Sequence, residues 1–289
     1  MYLVIDIGGS SVKSAIWHQG ELLEQEQFPS GGDWEEMLGQ IIALKERKSQ
    51  FYRLEAVSFS LPGIVNEATG VLEGASSLAY LHGFAFREVM SKALDLPVYM
   101  ENDANCAALA EQRYGVAKKK QNVLFVVIGT GIGGTIISDG QIRRGHHLFG
   151  GEFGMMLING HDEWAILGSA VHMARKVSLA KGLSEPLSGQ EIFRLADEGD
   201  QLACEAVEEL YHYLALGIYN LQYIIDPEMI VLGGGISAKA GLIENIQRHL
   251  ALIMDYGQRS PLFPKLALCK FGNEANLIGA AITAMEVSQ

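Results

Sequence analysis

Two stretches of this chain begin alike about 120 residues apart, and that spacing limits the possible folds more than any other feature. Ile5-Asp6-Ile7-Gly8 sets onto Val126-Val127-Ile128-Gly129, and the turn glycines Gly20 and Gly140 then fall within one position of each other. So long a period means a duplicated domain, because solenoid units repeat every ~20–50 residues. The 289 residues suffice for roughly two domains. We expect an α/β fold with residues 1–115 as an N-terminal domain, completed by a C-terminal helix over 275–289, and residues 116–274 as a second domain.

Hydrophobic periodicity and turn residues give the order of elements. The first copy reads as strands 2–7, 12–17 and 21–28, a helix to about 49, a strand 54–61, a helix 86–94, a strand 96–100 and a helix 104–114. The second reads as strand 123–128, a glycine loop over 129–135 and a strand at 136–137. Helices at 165–180, 189–197 and 201–225 follow, then a strand 229–232, a helix 242–254, a strand 265–269 and a helix 275–285.

Composition excludes several classes of function. With 22 Lys and Arg against 34 Asp and Glu, a formal charge of -12, the chain offers no basic face to nucleic acid. No window reaches the ~18 apolar residues of a membrane span, and Met1–Ile7 is too short for a signal-peptide core, so a cytoplasmic protein is expected. Cys106, Cys204 and Cys269 are far apart and form no Cys-x-x-Cys pair, which predicts neither a disulfide framework nor a cysteine zinc site.

Three glycine clusters directly follow apolar strands: Gly8-Gly9-Ser10, Gly129-Thr130-Gly131-Ile132-Gly133-Gly134 and Gly233-Gly234-Gly235. Glycine lets backbone N–H groups approach an anion closely, so these are candidate phosphate turns, although one such turn alone is usually only a hairpin. None is a P-loop or a dinucleotide fingerprint. A nucleotide gripped between two similar halves fits them better. The duplication is asymmetric, with Asp6 where the second copy has Val127. A carboxylate at the end of an apolar strand is costly to bury unpaired and suits Mg²⁺, directly or through water; the alternative is that it accepts the Gly8 and Gly9 amides.

Glu101-Asn102-Asp103-Ala104-Asn105 places a carboxylate and two amides where a strand gives way to a helix. A carboxylate there can orient a hydroxyl and take its proton. Equally, Asn102 or Asp103 can simply cap the helix.

As an ordered set, Asp6-Ile7-Gly8-Gly9-Ser10, Leu61-Pro62-Gly63-Ile64-Val65-Asn66, Glu101-Asn102-Asp103-Ala104-Asn105, Ile128-Gly129-Thr130-Gly131-Ile132-Gly133-Gly134, Gly150-Gly151-Glu152-Phe153-Gly154 and Leu232-Gly233-Gly234-Gly235-Ile236 resemble the ROK family of sugar kinases and repressors. The resemblance runs from Met1 nearly to the C-terminus. It implies the actin-like ATPase (ribonuclease H-like) fold, two α/β domains flanking a cleft, with ATP and Mg²⁺ as cofactors and a sugar hydroxyl as acceptor. It also implies Asp103 as general base, and Asn102, Glu152, Glu163 and Gly63 around the sugar. Gly8, Gly9, Ser10, Thr130 and Gly131 would meet phosphates, Gly234 and Gly235 would line the adenosine side, and Asp6 would serve the metal.

The chain departs from the family at the sugar side. Zinc-containing members carry a histidine and then a cysteine-rich run after the glutamate of Gly-Glu-x-Gly-His; here Met155 takes the histidine position and residues 158–164 hold no cysteine. No structural zinc is expected, since neither His161 nor His146-His147 supplies four ligands at finger-like spacing. Glu163 stands in for the family's last glutamate or is an ordinary exposed acid. Ser76-Ser77-Leu78-Ala79-Tyr80-Leu81 replaces the Asn-Leu-x-x-Trp wording of family glucokinases. The expected activity is phosphorylation of a hexose, at the 6-hydroxyl of glucose, N-acetylmannosamine or a β-glucoside. The alternatives are an actin-like nucleotide-binding module and a sugar-sensing regulator lacking a DNA-binding domain. The apolar helices 165–180 and 201–225 fit either a homodimer interface or burial in the core.

Overall fold

The computed structural model of the protein describes residues 1–74, 76–255 and 262–287; the end of the helix expected over 275–289 therefore lies outside the described residues. The chain divides into two compact units. Unit 1 comprises Met1–Gly115, Gly145–Phe149 and the stretch from Asn273 onward; unit 2 comprises Val116–Arg144 and Gly150–Gly272.

Unit 1 is built from β1 (Tyr2–Ile7), β2 (Ser11–His18), β3 (Glu21–Pro29), α1 (Trp34–Ser49), β4 (Ala56–Leu61), a small hairpin of β5 (Ile64–Asn66) and β6 (Val71–Glu73), α2 (Phe86–Leu94), β7 (Val98–Asn102) and α3 (Asp103–Tyr114). Its five-stranded sheet runs β3-β2-β1-β4-β7. β2 is antiparallel to β1, while β1, β4 and β7 are mutually parallel. Leu3, Ile5, Phe59 and Met100 from the sheet pack with Met37, Ile41, Phe86 and Met90 from α1 and α2.

Unit 2 holds β8 (Val123–Ile128), β9 (Ile132–Ser138), β10 (Gln141–Ile142), α4 (Trp164–Leu167), α5 (Ala170–Ala180), α6 (Gly189–Asp197), α7 (Gln201–Ile225), β11 (Met229–Gly233), α8 (Leu242–Asp255) and β12 (Leu266–Leu268). Its sheet runs β10-β9-β8-β11-β12, the same order and the same parallel and antiparallel pairing as in unit 1. The last helix, α9 (Ala275–Val287), belongs to unit 1, where it packs on α3, β1 and β4. In unit 2 the α7 helix lies over Trp164, which is fully buried and donates its indole N–H to the Tyr213 carbonyl at 2.9 Å. Gly217 makes that packing possible, because a Cβ there would collide with the Trp164 ring.

Three sequence expectations need correction. The glycine loop after β8 is shorter than 129–135: Ile132, Gly133 and Gly134 are inside β9. Gly134 is there for packing, since a Cβ on it would strike the Phe125 carbonyl and the Phe153 ring. The helix expected over 165–180 is two, broken at Gly168-Ser169, because the Ser169 hydroxyl turns back to accept the Val171 amide and cap α5. Finally, between the strand expected at 54–61 and the helix expected at 86–94, where no element was expected, the chain forms the β5–β6 hairpin.

Candidate functional site

In unit 1 the register of the sheet assembles a polar row. Asp6 on β1 lies opposite Ser60 on β4, and Ser60 lies opposite Glu101 on β7. The Ser60 hydroxyl donates to Asp6 Oδ1 at 2.7 Å, and Asn276 Nδ2 of α9 donates to the same oxygen at 3.0 Å. Asp6 is only 7% exposed. Burial pushes its carboxyl above the ordinary carboxylate value, while the bonds from Ser60 and Asn276 and the charge of Lys13 pull the other way. In the second copy the positions of Asp6 and Ser60 are Val127 on β8 and Gly233 on β11, so the Asp6–Ser60 pair has no counterpart there.

Glu101 is buried and its Oε1 accepts the Asn102 amide at 2.7 Å and Asn105 Nδ2 at 2.9 Å. Cys106 is fully buried behind this row, and burial, together with the nearby charges of Glu101 and Asp6, pushes its thiol well above the ordinary range. It is not placed to act as a thiolate nucleophile.

The strand-to-helix junction makes Asn102 the N-cap of α3: its Oδ1 accepts the Asn105 amide at 3.1 Å. Asn102 Nδ2 donates to the Gly63 carbonyl at 2.9 Å and to Asp103 Oδ1 at 3.0 Å. A primary amide has two N–H donors, and both have partners here, so further contacts from Asn102 fall to its Oδ1 lone pairs. Asp103 is the first helical residue, half-buried, with Oδ1 also accepting the Ala104 amide at 2.8 Å. Of the two capping candidates, Asn102 is the cap, and Asp103 is held by it. Gly63 completes the group with φ +90°, a conformation that favours glycine.

Gly8, Gly9 and Ser10 form the turn between β1 and β2. It is closed by a Gly8 amide bond to the Ser11 carbonyl at 3.0 Å and braced by Ser30, whose hydroxyl donates to the Gly8 carbonyl at 2.7 Å. Gly9 and Ser10 are exposed. In unit 2 the Thr130-Gly131 turn has the equivalent position, and the buried Ser169 hydroxyl points at the Gly129 and Thr130 carbonyls, 3.2 and 2.9 Å away. Gly234, with φ +84°, and Gly235 follow β11. A Cβ on Gly234 would collide with the Ile128 carbonyl of the neighbouring strand. Turns of small, largely exposed residues at the ends of buried strands, whose first amides Gly8 and Gly129 close the turns themselves, fit a polyphosphate at their tips. The buried Asp6 carboxylate at the end of β1 fits Mg²⁺ held through one protein ligand, waters and substrate phosphates.

Glu152 lies in unit 2 on a loop pressed against β9, where Gly151 and Gly154 allow backbone contact with Gly134 and Ile132. Its side chain reaches solvent, yet desolvation by the surrounding protein raises its carboxyl above the ordinary value. Glu163 precedes α4, exposed, and its backbone pairs with Leu157. The intervening loop is closed by Asn159, whose Oδ1 accepts the His161 and Asp162 amides at 3.2 and 2.7 Å. Met155, at the position of the family's histidine, is 59% exposed. Among the described residues no three His, Cys, Asp or Glu side chains gather as metal ligands.

The structure thus joins Asp6, Gly63, Asn102 and Asp103 through bonded neighbours, and it sets Thr130-Gly131, Glu152, Glu163 and Gly234-Gly235 in unit 2. Sequence reasoning missed Ser60, Asn276 and Ser169. Ser60 and Ser58 both stand among apolar residues of β4, and a serine repeated at period two in a buried strand was the available signal.

Two sheets of one strand order, each ending in small-residue turns, together with a helix-capping Asn-Asp pair, define a phosphotransferase of the actin-like ATPase fold. The chain belongs to the ROK family, whose sequence profile matches residues 2–287. It is 32% identical over 287 residues to a β-glucoside kinase of Klebsiella pneumoniae, covering 95% of this chain and 93% of that protein. A ROK family protein from Streptococcus pneumoniae, solved in complex with sucrose, superposes with a TM-score of 0.90 at 34% identity, covering 99% and 98% of the two chains. The ROK hexokinase of Thermus thermophilus gives a TM-score of 0.85 at 28% identity over 99% of each chain. Its curated relatives also include glucokinases, so the homologues are sugar kinases. Among the described residues no helix is long and apolar enough to cross a membrane.

Proposed function

We propose that the protein is a cytoplasmic, ATP-dependent hexose kinase that transfers the γ-phosphoryl group to a primary 6-hydroxyl, with a β-glucoside as the preferred acceptor ahead of glucose and N-acetylmannosamine. The observation that carries the reaction type is the Asn102–Asp103 pair, in which a capped helix start fixes a half-buried carboxylate. The acceptor preference is supported by the β-glucoside kinases at 30–32% identity.

In this reading Asp103 accepts the proton of the sugar hydroxyl as its oxygen bonds to the γ-phosphorus. The bond from that phosphorus to the bridging oxygen breaks, and ADP leaves. Asn102 keeps Asp103 in register, and Glu152 and Glu163 accept hydrogen bonds from other sugar hydroxyls. Backbone amides of Gly9, Ser10, Thr130 and Gly131 receive the phosphates, with Gly8 shaping the first turn, and Gly234-Gly235 line the adenosine side. Asp6 would hold Mg²⁺, directly or through water, and the ion would supply the neutralisation of phosphate charge that phosphoryl transfer chiefly requires. Exposed Val171 and Leu179 on α5 and Tyr223 and Ile224 on α7 favour a homodimer as the working form.

The test is ADP release from ATP with a panel of cellobiose and other β-glucosides, glucose, N-acetylmannosamine and N-acetylglucosamine. Sugar-stimulated turnover is expected, greatest with a β-glucoside. Nucleotide binding with no stimulation by any sugar supports the nucleotide-switch alternative instead. Sedimentation of the same preparation reads the oligomer.

A further inference from the structure

The segment from Ser76 to His82 has no task in the reaction as described, yet it spans the distance between the phosphate turn and the Asn102–Asp103 pair. At one end the Ser77 side chain occupies the space where any Cβ on Gly9 would go. The Tyr80 hydroxyl donates to the Gly31 carbonyl at 2.6 Å, next to the Ser30 that braces Gly8 and Ser10. Leu78 and Leu81 anchor the middle in the unit 1 core. At the other end the His82 ring lies against Gly63, so close that a Cβ there would come within 2.8 Å of the ring Cε1.

His82 is an odd choice for packing alone. Its Nε2 pairs with Ser76 Oγ at 2.7 Å, and Ser76 Oγ also accepts the Leu78 amide at 3.2 Å. Its Nδ1 is buried without a hydrogen-bond partner. A leucine would fill such space without leaving a polar atom unsatisfied, so the imidazole costs stability that a packing role does not return. What the ring does provide is a flat, rigid face, locked at one nitrogen by Ser76, against a glycine in a left-handed conformation.

We propose that His82 is a positioning residue for phosphoryl transfer. Held by Ser76, it fixes Gly63 at φ +90°, where the Gly63 carbonyl receives one Asn102 N–H while the other N–H holds Asp103. The chain of control runs Ser76, His82, Gly63, Asn102, Asp103. The proposal rests on the hexose-kinase reading, and it goes beyond it by assigning the orientation of the base to a histidine that touches neither substrate.

The test combines kinetics with a signal that does not depend on turnover. His82→Ala is expected to raise KM for the sugar and lower kcat, each by about tenfold, with KM for ATP within about twofold, since small misplacements of a reacting group are costly. His82→Gln, which keeps a hydrogen-bonding group toward Ser76, is expected to recover most of the loss. The double variant His82→Ala/Asn102→Ala is expected to be no worse than Asn102→Ala, because the two act through one contact. In ¹H–¹⁵N spectra the Asn102 side-chain amide resonances are expected to move in His82→Ala and to return in His82→Gln. If His82→Ala does not fold, Ser76→Ala leaves the ring in place but frees Nε2 and carries the same readouts.

Unmoved Asn102 resonances, or additive losses in the double variant, overturn the proposal. If the wild-type protein phosphorylates no sugar in the panel, the kinase reading fails, and the Asn102 resonances still decide whether His82 sets that amide.

Discussion

Ser60 gives its hydroxyl proton to Asp6 Oδ1 across the parallel β1–β4 pair, 2.7 Å apart, and Asn276 adds a second donor from α9 to the same oxygen. Two neutral donors orient the carboxylate without cancelling its charge. That arrangement makes sense for a group meant to face a cation, and it carries a stability cost. Because burial holds the folded-state pKa of Asp6 above its ordinary value of 3.8, the folded chain binds the proton more tightly than the unfolded one. The cost is absent below about 3.8, grows as pH rises toward the folded value and is constant above it. Asp6→Asn is therefore expected to raise Tm at pH 7 by ~2 °C or more and to show little difference near pH 3.5. The same variant is expected to need more Mg²⁺ for half-maximal activity. A Tm difference that grows on acidification, or an unchanged Mg²⁺ titration, contradicts one half or the other of this account.

For Asp103 the expectation is kinetic. Asp103→Asn retains an oxygen to accept the Ala104 amide and Asn102 Nδ2, so thermal melting and ATP affinity should stay close to wild type. Without a base toward the hydroxyl, kcat is expected to fall by ~10² or more. Full activity in this variant would sink the assignment of Asp103 as base.

Glu152 offers a pH readout. Its carboxyl is raised above the ordinary 4.5 by desolvation, so the charged form that accepts sugar hydroxyls is lost on acidification earlier than for a free glutamate. KM for the sugar is expected to climb as pH falls toward that raised value, while KM for ATP changes less. Glu152→Gln is expected to have a higher sugar KM that no longer responds to pH over this range. A wild-type profile that persists in the variant reassigns the titration to another group.

Gly279 tests the helix packing behind the site. A Cβ on this α9 residue would collide with the Cys106 carbonyl of α3, which is backbone and has nowhere flexible to retreat. Gly279→Ala is expected to destabilise by about 1–3 kcal/mol, read as a lower midpoint in guanidinium chloride, through overpacking. Since α3 begins at Asp103, kcat is expected to drop as well; an unaffected midpoint shows that the two helices can separate freely.

Much of this fold could be read from residues alone because its signals are local. The apolar runs at Tyr2–Ile7 and Val123–Ile128 and the glycines after them stated the duplication, and the shared strand order of the two sheets follows from it. What stayed hidden depends on register or on distant partners. Nothing near Asp6 announces Ser60 or Asn276, which come from 54 and 270 residues away. Gly134 looked like a ligand glycine because glycine for close packing and glycine for a phosphate turn are the same letter; only the Phe153 ring and the Phe125 carbonyl tell them apart. The break at Gly168-Ser169 was invisible for a similar reason, as the apolar pattern on both sides has one helical period while Ser169 is needed at the Thr130 turn.

The membership of α9 in unit 1 bears on how the protein is made. When a ribosome has released residue 115, the sheet of unit 1 is complete, but α3 has no helix on its outer face and Asp6 lacks one of its two donors. Residues 116–272 must be translated first, roughly 8–30 s at ~5–20 residues per second. Over that interval the nascent first unit exposes the apolar surface reserved for Leu277, Ile278 and Ile282, and is a natural client for chaperones. A product truncated in unit 2 therefore carries Gly8, Gly9 and Ser10 and still lacks the Asn276 bond to Asp6.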